Sequence, residues 1–353
     1  MPPAFSPFRA AAVRASAVAS AVTARASAQG SKPPRPAASL VLLRPRRNRE
    51  PASSPEDFEV LMMERSNKKG AFQGAVVFPG GVVETTDHSD NWAEFLGLRG
   101  LTRLQVLRLG AIRELFEETG ILLSEPAADL SRERARDLRA RVQADGEDFL
   151  AVCRELGVRP DLNALTFVHH WVTPIQAPAR FDTHFFLAIR QSAQGAEADG
   201  GETVRVAWLP PSRFLELFQE QEISFLPPQF YLLSTLAGSP SLGAVAQLRD
   251  AVREEAVHPW QPHTLSKEMG GPAMCYPGDA SYPKDLGSSP LVVSPSAADR
   301  HRLYMRPMQK KEGGAGGRGV IGGAVVTYEL ERTVPVPFGG ESWASARRGS
   351  ARL

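Results

Sequence analysis

Between Arg113 and Ile121 the 353-residue chain reads Arg-Glu-Leu-Phe-Glu-Glu-Thr-Gly-Ile, which gathers three carboxylates and a guanidinium within six positions. At about 100° per residue, a helix projects Glu114, Glu117 and Glu118 into one narrow sector with Arg113 beside them, while Ile112, Leu115, Phe116 and Thr119 face the other way. Like charges three and four residues apart cost about 0.2–0.5 kcal/mol per pair on an exposed helix, so folding alone gives little reason to collect them. A hard divalent cation supplies that reason, because it takes its ligands from carboxylate oxygens. Glu114, Glu117 and Glu118 are therefore candidate metal ligands, and the expected chemistry is metal-assisted. A solvated, salt-bridged helix is the plainer alternative.

The helix that must carry these groups has visible ends. Thr102-Arg103-Leu104-Gln105 has the form of a capping box, and Gly120 suits the left-handed position past a helix terminus, so a helix is expected from about 103 to 119. Around it, strands are expected at 39–43, 58–64, 75–78, 165–172, 183–188 and 204–208. Two charged segments broken at Asp145-Gly146 predict a helical pair within 130–157, and later helices are expected at 211–221, 228–236 and 244–256. Strands split by helices fit a mixed sheet covered on both faces. The glycine-rich run 313–323 reads as a flexible loop.

A second run, starting upstream at Leu61, reads LMMERSNKKGAFQGAVVFPGG. Its end, Phe78-Pro79-Gly80-Gly81, together with the glutamate helix, resembles the signature of the Nudix hydrolases, whose second half is R-E-U-x-E-E-x-G-U with U apolar. In an uninterrupted signature the arginine follows Gly81 by fourteen residues, at position 95; here it is Arg113, so eighteen residues are extra. Counting forward from Gly81, the first glutamate position holds Asp87, and the insert is expected as a surface loop over 88–100, where added length costs little entropy. The resemblance implies a Nudix-type α/β/α sandwich, of α+β or α/β class, with a mixed sheet, a helical insertion and extra C-terminal helices. It also implies Mg²⁺ or Mn²⁺ as cofactor, Arg113 orienting a glutamate through an ion pair, and a Gly80-Gly81 turn bringing backbone near the metal.

The run from Leu61 is also similar to the element that marks coenzyme A diphosphatases in that family, L-L-x-x-R-[SA]-x3-R-x3-G-x3-F-P-G-G. Arg65, Ser66, Gly74 and Phe78 to Gly81 fall in register, whereas Gly70 stands where the second arginine belongs, just after Lys68 and Lys69. An ammonium keeps the charge without the bidentate grip of a guanidinium. Arg65, Ser66, Lys68, Gly80 and Gly81 are the candidate substrate-binding residues, with a strand-end ion pair as the alternative role for Arg65. Segments 180–187, 226–231 and 277–279 are similar to the peroxisomal acyl-coenzyme A diphosphatase branch, which extends the resemblance over about 37–285. The implied reaction is hydrolysis of the diphosphate of coenzyme A or acyl-coenzyme A to 3′,5′-ADP and (acyl-)4′-phosphopantetheine. Another nucleoside diphosphate conjugate, such as a nucleotide sugar or dinucleotide, and a catalytically silent binding module are the alternatives.

Glu202 is a candidate for the additional carboxylate that many members of the family recruit from a distant loop as ligand or base; a solvated strand-edge residue is its alternative. His169 and His170 lie in a strand-like run, one pointing inward and one outward, and together with His184 they read as structural histidines. Phe181, Phe185 and Phe186 read as core rather than as an acyl pocket.

Composition narrows the partners. The nine basic residues before Glu50 have no acidic counterpart, which leaves 32 basic against 39 acidic residues, near −7, in the rest of the chain. Such a body does not resemble a nucleic-acid binder. Residues 1–36 read as an organelle-targeting presequence or a basic tail. The domain proper is expected over 37–285, followed by an extension over 286–353 that ends in Ala351-Arg352-Leu353, a variant of the Ser-Lys-Leu address read by the peroxisomal import receptor. The peroxisome is the expected location and the mitochondrion the alternative. Only Cys153 and Cys275 occur, too few for a disulfide scaffold or a thiolate zinc site. No run approaches the length of an apolar membrane span, and a soluble protein is expected.

Overall fold

A computed structural model describes residues 33–46, 54–66, 73–128, 130–145, 149–175, 177, 179–190, 195–239, 241–265, 273–283, 299–307, 320–321 and 324–332. The strands are β1 (Arg35–Pro45), β2 (Phe58–Arg65), β3 (Val76–Val77), β4 (Gly80–Val82), β5 (Ser124–Glu125), β6 (Arg159–Pro160), β7 (Thr166–Val172), β8 (Phe181–Ile189), β9 (Thr203–Leu209), β10 (Pro259–Trp260), β11 (His263–Leu265), β12 (Ala273–Cys275), β13 (His301–Pro307), β14 (Val320–Ile321) and β15 (Ala324–Arg332). The helices are α1 (Asp90–Leu96), α2 (Arg103–Thr119), α3 (Arg132–Asp145), α4 (Phe149–Leu156), α5 (Pro211–Gln219), α6 (Pro227–Ala237) and α7 (Leu242–Asp250).

Leu40-Val41-Leu42-Leu43 is an unbroken apolar run, the pattern of a strand covered on both sides, and it forms the middle of β1 with every side chain at most 1% exposed. The main sheet runs β10-β7-β8-β1-β2-β3, with β4 also paired to β1 and β9 to β2. It is mixed, because β1 runs parallel to β8 from Arg35↔Phe181 to Leu43↔Ile189 but antiparallel to β2 and β4. The two-residue period of β1 divides the core. Leu40 and Leu42 pack with Leu107, Ile112, Phe116, Leu138 and Phe149, drawn from α2, α3 and α4. Val41 and Leu43 pack on the other side with Phe214, Phe230, Leu233 and Val245, from α5, α6 and α7. The expected three-layer sandwich, helical insertion and C-terminal helices are all present.

The insert after Asp87 differs from the expected loop over 88–100. Ser89 caps α1 by accepting from the Asn91 N–H, Gly97 closes it in the left-handed conformation, and Trp92, 1% exposed, packs against Phe95 and Phe149. An indole that can be buried against the core gives seven inserted residues a reason to be helical.

The region beyond 285, expected as an extension, supplies strands. β11, β12, β13, β15 and β14 form a second sheet in that order, and Val320–Ile321 falls within the run expected to be a flexible loop. Leu303 joins the core beside α5 and α6, and Tyr328 stacks on Phe218 at 5.4 Å between ring centroids. Asp279 is held in a buried pair by Arg302, with Nε donating to Oδ2 at 2.7 Å. The segments 1–32, 308–319 and 333–353, with the two targeting signals, lie outside the described residues.

Candidate active site

The capping box at Thr102 is closed in both directions: the Thr102 N–H donates to Gln105 Oε1 at 2.8 Å, and the Gln105 N–H donates to Thr102 Oγ1 at 3.3 Å. Gly120 sits at φ 75° and returns its N–H to Phe116 O. Between these stops, Ile112, Leu115, Phe116 and Thr119 are each 0% exposed, which turns the glutamates toward the glycine-bearing strand β4. The carboxyl end of α2 is fixed by the insertion, where Arg139 Nε and Gln143 Nε2 both donate to the Glu117 carbonyl, at 2.9 and 3.2 Å. Sequence reading missed these two donors. An arginine in a charged helix carries no local sign that it is buried, as Arg139 is, against a neighbouring helix end.

Arg113 is the hub. Its Nε and Nη2 donate to the two oxygens of Asp87 at 2.9 and 3.0 Å, Nη2 also reaches Val82 O at 3.0 Å, and Nη1 donates to Glu114 at 3.0 Å and Glu117 at 3.3 Å. Asp87 thus ties loop to helix from the first-glutamate position. Its reach suffices because Gly110 opposes it: a Cβ there would stand 3.2 Å from Asp87 Oδ2.

Gly80 and Gly81 form a strand rather than the expected turn, paired with Ser39 and Ala38 of β1. A Cβ on Gly80 would fall 2.6 Å from Ser39 Cα, where only glycine lets β4 pair so closely with β1, and one on Gly81 would fall 2.5 Å from Glu114 Oε1 and displace that carboxylate. The Gly80 N–H donates to Glu118 Oε2 at 2.8 Å. Arg65, at the end of β2, lies 3.7 Å from Glu118 Oε1 and 3.5 Å from Glu202 Oε2, while its buried Nε has no hydrogen-bond partner among the described residues. Arg65, Gly80, Gly81, Arg113, Glu114, Glu117, Glu118 and Glu202 therefore converge. Ser66 adjoins them, with its N–H donating to Glu202 O at 2.6 Å, and Lys68 lies outside the described residues.

Five carboxylates, from Asp87, Glu114, Glu117, Glu118 and Glu202, thus face two guanidinium groups, from Arg65 and Arg113. Burial pushes the Glu114 carboxyl up to about 7 against the pull of Arg113, and burial also raises Glu117. Glu118 is raised well above the usual carboxylate range by burial and then by repulsion from Glu114. Arg113 goes up instead: burial opposes its charge, but the hydrogen bond to Asp87 and the charge of Glu114 outweigh it. The deficit of positive charge and the hard oxygen donors suit a divalent cation. Glu114 and Glu117 would have to share themselves between it and Arg113 Nη1.

The family model for the NUDT19 Nudix domain matches residues 34–106 and 101–236. The chain belongs to the Nudix hydrolase family. It is 34% identical over 304 residues to the acyl-coenzyme A diphosphatase NUDT19 of Gallus gallus, covering 71% of this chain and 80% of that one. To the Homo sapiens protein of the same name it is 31% identical, covering 71% and 81%. A solved Nudix hydrolase from Alicyclobacillus acidocaldarius superposes with a TM-score of 0.51 at 27% identity, over 61% of this chain and 96% of that one. This Nudix protein is accordingly a diphosphatase.

The histidines of this Nudix chain stand apart from the glutamates. His169 is buried, its ring 4.2 Å from that of Trp260, and burial lowers it to about 3. His170 points to the opposite face of β7, where it meets His184; burial lowers the latter to about 4. Phe185 and Phe186 are buried on opposite faces of the sheet as core, and Phe181 takes Arg35 over its ring at 5.3 Å.

Proposed function

We propose that this Nudix diphosphatase hydrolyses the diphosphate linkage of acyl-coenzyme A or coenzyme A, with Mg²⁺ or Mn²⁺ held by Glu114, Glu117 and Glu118, to 3′,5′-ADP and (acyl-)4′-phosphopantetheine. The observation that carries the reading is the contact of Arg65, from the coenzyme A-type element, with Glu118 of the Nudix helix at 3.7 Å, in a chain whose relatives carry that activity in their names. The cation, when bound, neutralises diphosphate oxygens and lowers the pKa of an attacking water. Arg113 stays on Asp87 and holds the helix against β4, so it acts through Glu114 and Glu117 and not on substrate. Arg65, 18% exposed beside the buried Glu118, offers a guanidinium to a phosphate, and the Gly80 N–H keeps that carboxylate aimed. Glu202, whose side chain is 68% exposed, is the residue free to turn toward an incoming water as base.

Turnover of coenzyme A, acyl-coenzyme A, NADH, ADP-ribose and nucleotide sugars with Mg²⁺ tests this. Release of 3′,5′-ADP from the first two alone is the expected result. Preferred cleavage of a nucleotide sugar or dinucleotide would replace the substrate, and tight binding without turnover would favour a silent module. We place the protein in the peroxisome through Ala351-Arg352-Leu353 and its import receptor, with the mitochondrion reached by the first 36 residues as the competing destination. Fluorescent fusions lacking either end distinguish the two.

A further inference from the structure

We propose that His170, Asp182 and His184 form a second metal site, for a nitrogen-preferring divalent cation such as Zn²⁺, at the amino-terminal end of α2. In the β7–β8 ladder, His170 stands directly opposite His184 and Val172 opposite Asp182. Asp182 and His184 are two residues apart, so they share a face of β8, and their cross-strand neighbour His170 shares it with them. The ring centroids of the two histidines are 4.0 Å apart. The three side chains can each present a ligand atom within 4.8 Å of the others, which no other group of three or more His, Cys, Asp or Glu does among the described residues.

The hydrogen bonding leaves a place for an ion. Asp182 Oδ2 accepts from Arg103 Nη2 at 2.8 Å, while Oδ1 is shared between His170 Nε2, hydrogen-bonded to it, and His184 Nδ1, 3.7 Å away. The latter nitrogen is buried and has no hydrogen-bond partner among the described residues. An ordinary structural His–Asp pair accounts for His170, and the Asp182 backbone acts on the His184 ring, but no acceptor stands at full hydrogen-bond geometry to its Nδ1 among the described residues. A tetrahedral zinc with bonds of about 2.0–2.1 Å spaces its donors about 3.3 Å apart, close to the His184–Asp182 separation. Phe167 stacks on the His184 ring at 5.0 Å and fixes its plane, and Arg103 holds the carboxylate by its other oxygen. Asp182 and His170 are partly exposed, leaving water access to a fourth position.

Two neutral imidazoles and one carboxylate select Zn²⁺ over Mg²⁺, which keeps to oxygen ligands. The site is distinct from the glutamates. Arg103 opens α2 and Glu114 lies eleven residues further on, about 16 Å along the helix at 1.5 Å per residue. An ion there would fasten the β7–β8 pair to the start of the glutamate-bearing helix.

The full chain is stripped with chelator, reloaded with Zn²⁺ under a large excess of Mg²⁺, desalted and analysed for metal content and melting temperature. Wild type and Glu114→Gln should each retain one zinc per chain and melt higher with it. His184→Gln, Asp182→Asn and His170→Asn should retain none and show no zinc-dependent shift. His170 is the more exposed histidine, so His170→Asn decides the matter if a core variant fails to fold. Wild type without zinc, or His170→Asn with undiminished zinc and the same melting shift, would overturn the assignment. Loss of zinc in Glu114→Gln alone would do so too, by assigning the ion to the glutamates.

Discussion

Arg113 grips Asp87 with two parallel hydrogen bonds, Nε to Oδ1 at 2.9 Å and Nη2 to Oδ2 at 3.0 Å, in a place where the two side chains are 4% and 1% exposed. Removing Asp87 takes two of the five hydrogen bonds from Arg113, which keeps Glu114, Glu117 and Val82 O as partners, so the cost is about 1.5–3 kcal/mol. Asp87→Ala is expected to lower stability by about that amount, read as the shift in denaturation midpoint, and to cut turnover because Glu114 and Glu117 lose their shared anchor. Gly110→Ala presses on Asp87 Oδ2 from behind and should produce a smaller loss of the same kind. Wild-type stability in Asp87→Ala would contradict a structural role for the pair.

Glu118 receives the Gly80 N–H and faces Arg65. Glu118→Gln keeps its shape and an acceptor oxygen but removes the charge, so the fold should persist while turnover falls by about 100-fold or more, the order expected when one preorganised electrostatic group is lost. Circular dichroism and steady-state kinetics on one sample separate the two effects, and unchanged turnover would remove Glu118 from the ligand set.

The neighbouring glycines should fail differently. Ala at Gly80 meets the backbone of β1, which cannot yield, so stability should drop by about 1–3 kcal/mol. Ala at Gly81 meets the far end of the Glu114 side chain, which can swing away, so the protein should stay folded and lose activity. Melting temperatures and rates of both variants, compared side by side, test the contrast.

Burial lifts Glu114 from an ordinary value of 4.5 to about 7, whereas in the unfolded chain it returns to the ordinary value. The metal-free fold is therefore favoured by this group below about pH 4.5, and the contribution is lost as pH rises through about 7. Cation capture has the opposite sign, because the ligand must be ionised. Mg²⁺ affinity should strengthen as pH rises through about 7, by about tenfold or more per pH unit on the acid side, because Glu117 and Glu118 are raised as well. Calorimetric titrations at roughly pH 6, 7 and 8 measure this slope, and a flat profile would exclude Glu114 as a ligand.

How far the chain could be read in advance depended on how local each determinant is. The ends of α2 were legible because Thr102, Gln105 and Gly120 act on their own turn of backbone. The glutamate cluster, Arg65 and Glu202 were legible as residues, and Asp87 by counting from Gly81, but the bidentate grip of Arg113 needed a fold that brings position 87 against position 113. α1 was missed because Ser89 and Gly97 look like loop residues until Trp92 finds Phe149. The second sheet was missed because the partners of β13 and β15 are distant or glycine-rich, and nothing within either strand announces the pairing. His170, Asp182 and His184 lie on two strands, and only their register makes them neighbours.

Tyr328 stacks on Phe218, borders Phe230 and donates its hydroxyl to Phe225 O at 3.4 Å, so a strand near the end of the described chain roofs helices made a hundred residues earlier. During synthesis, then, the glutamate helix and its sheet emerge from the ribosome well before their hydrophobic lid does. A nascent chain paused at residue 285 would leave the faces of Phe218 and Phe230 that Tyr328 covers exposed until translation delivers β15.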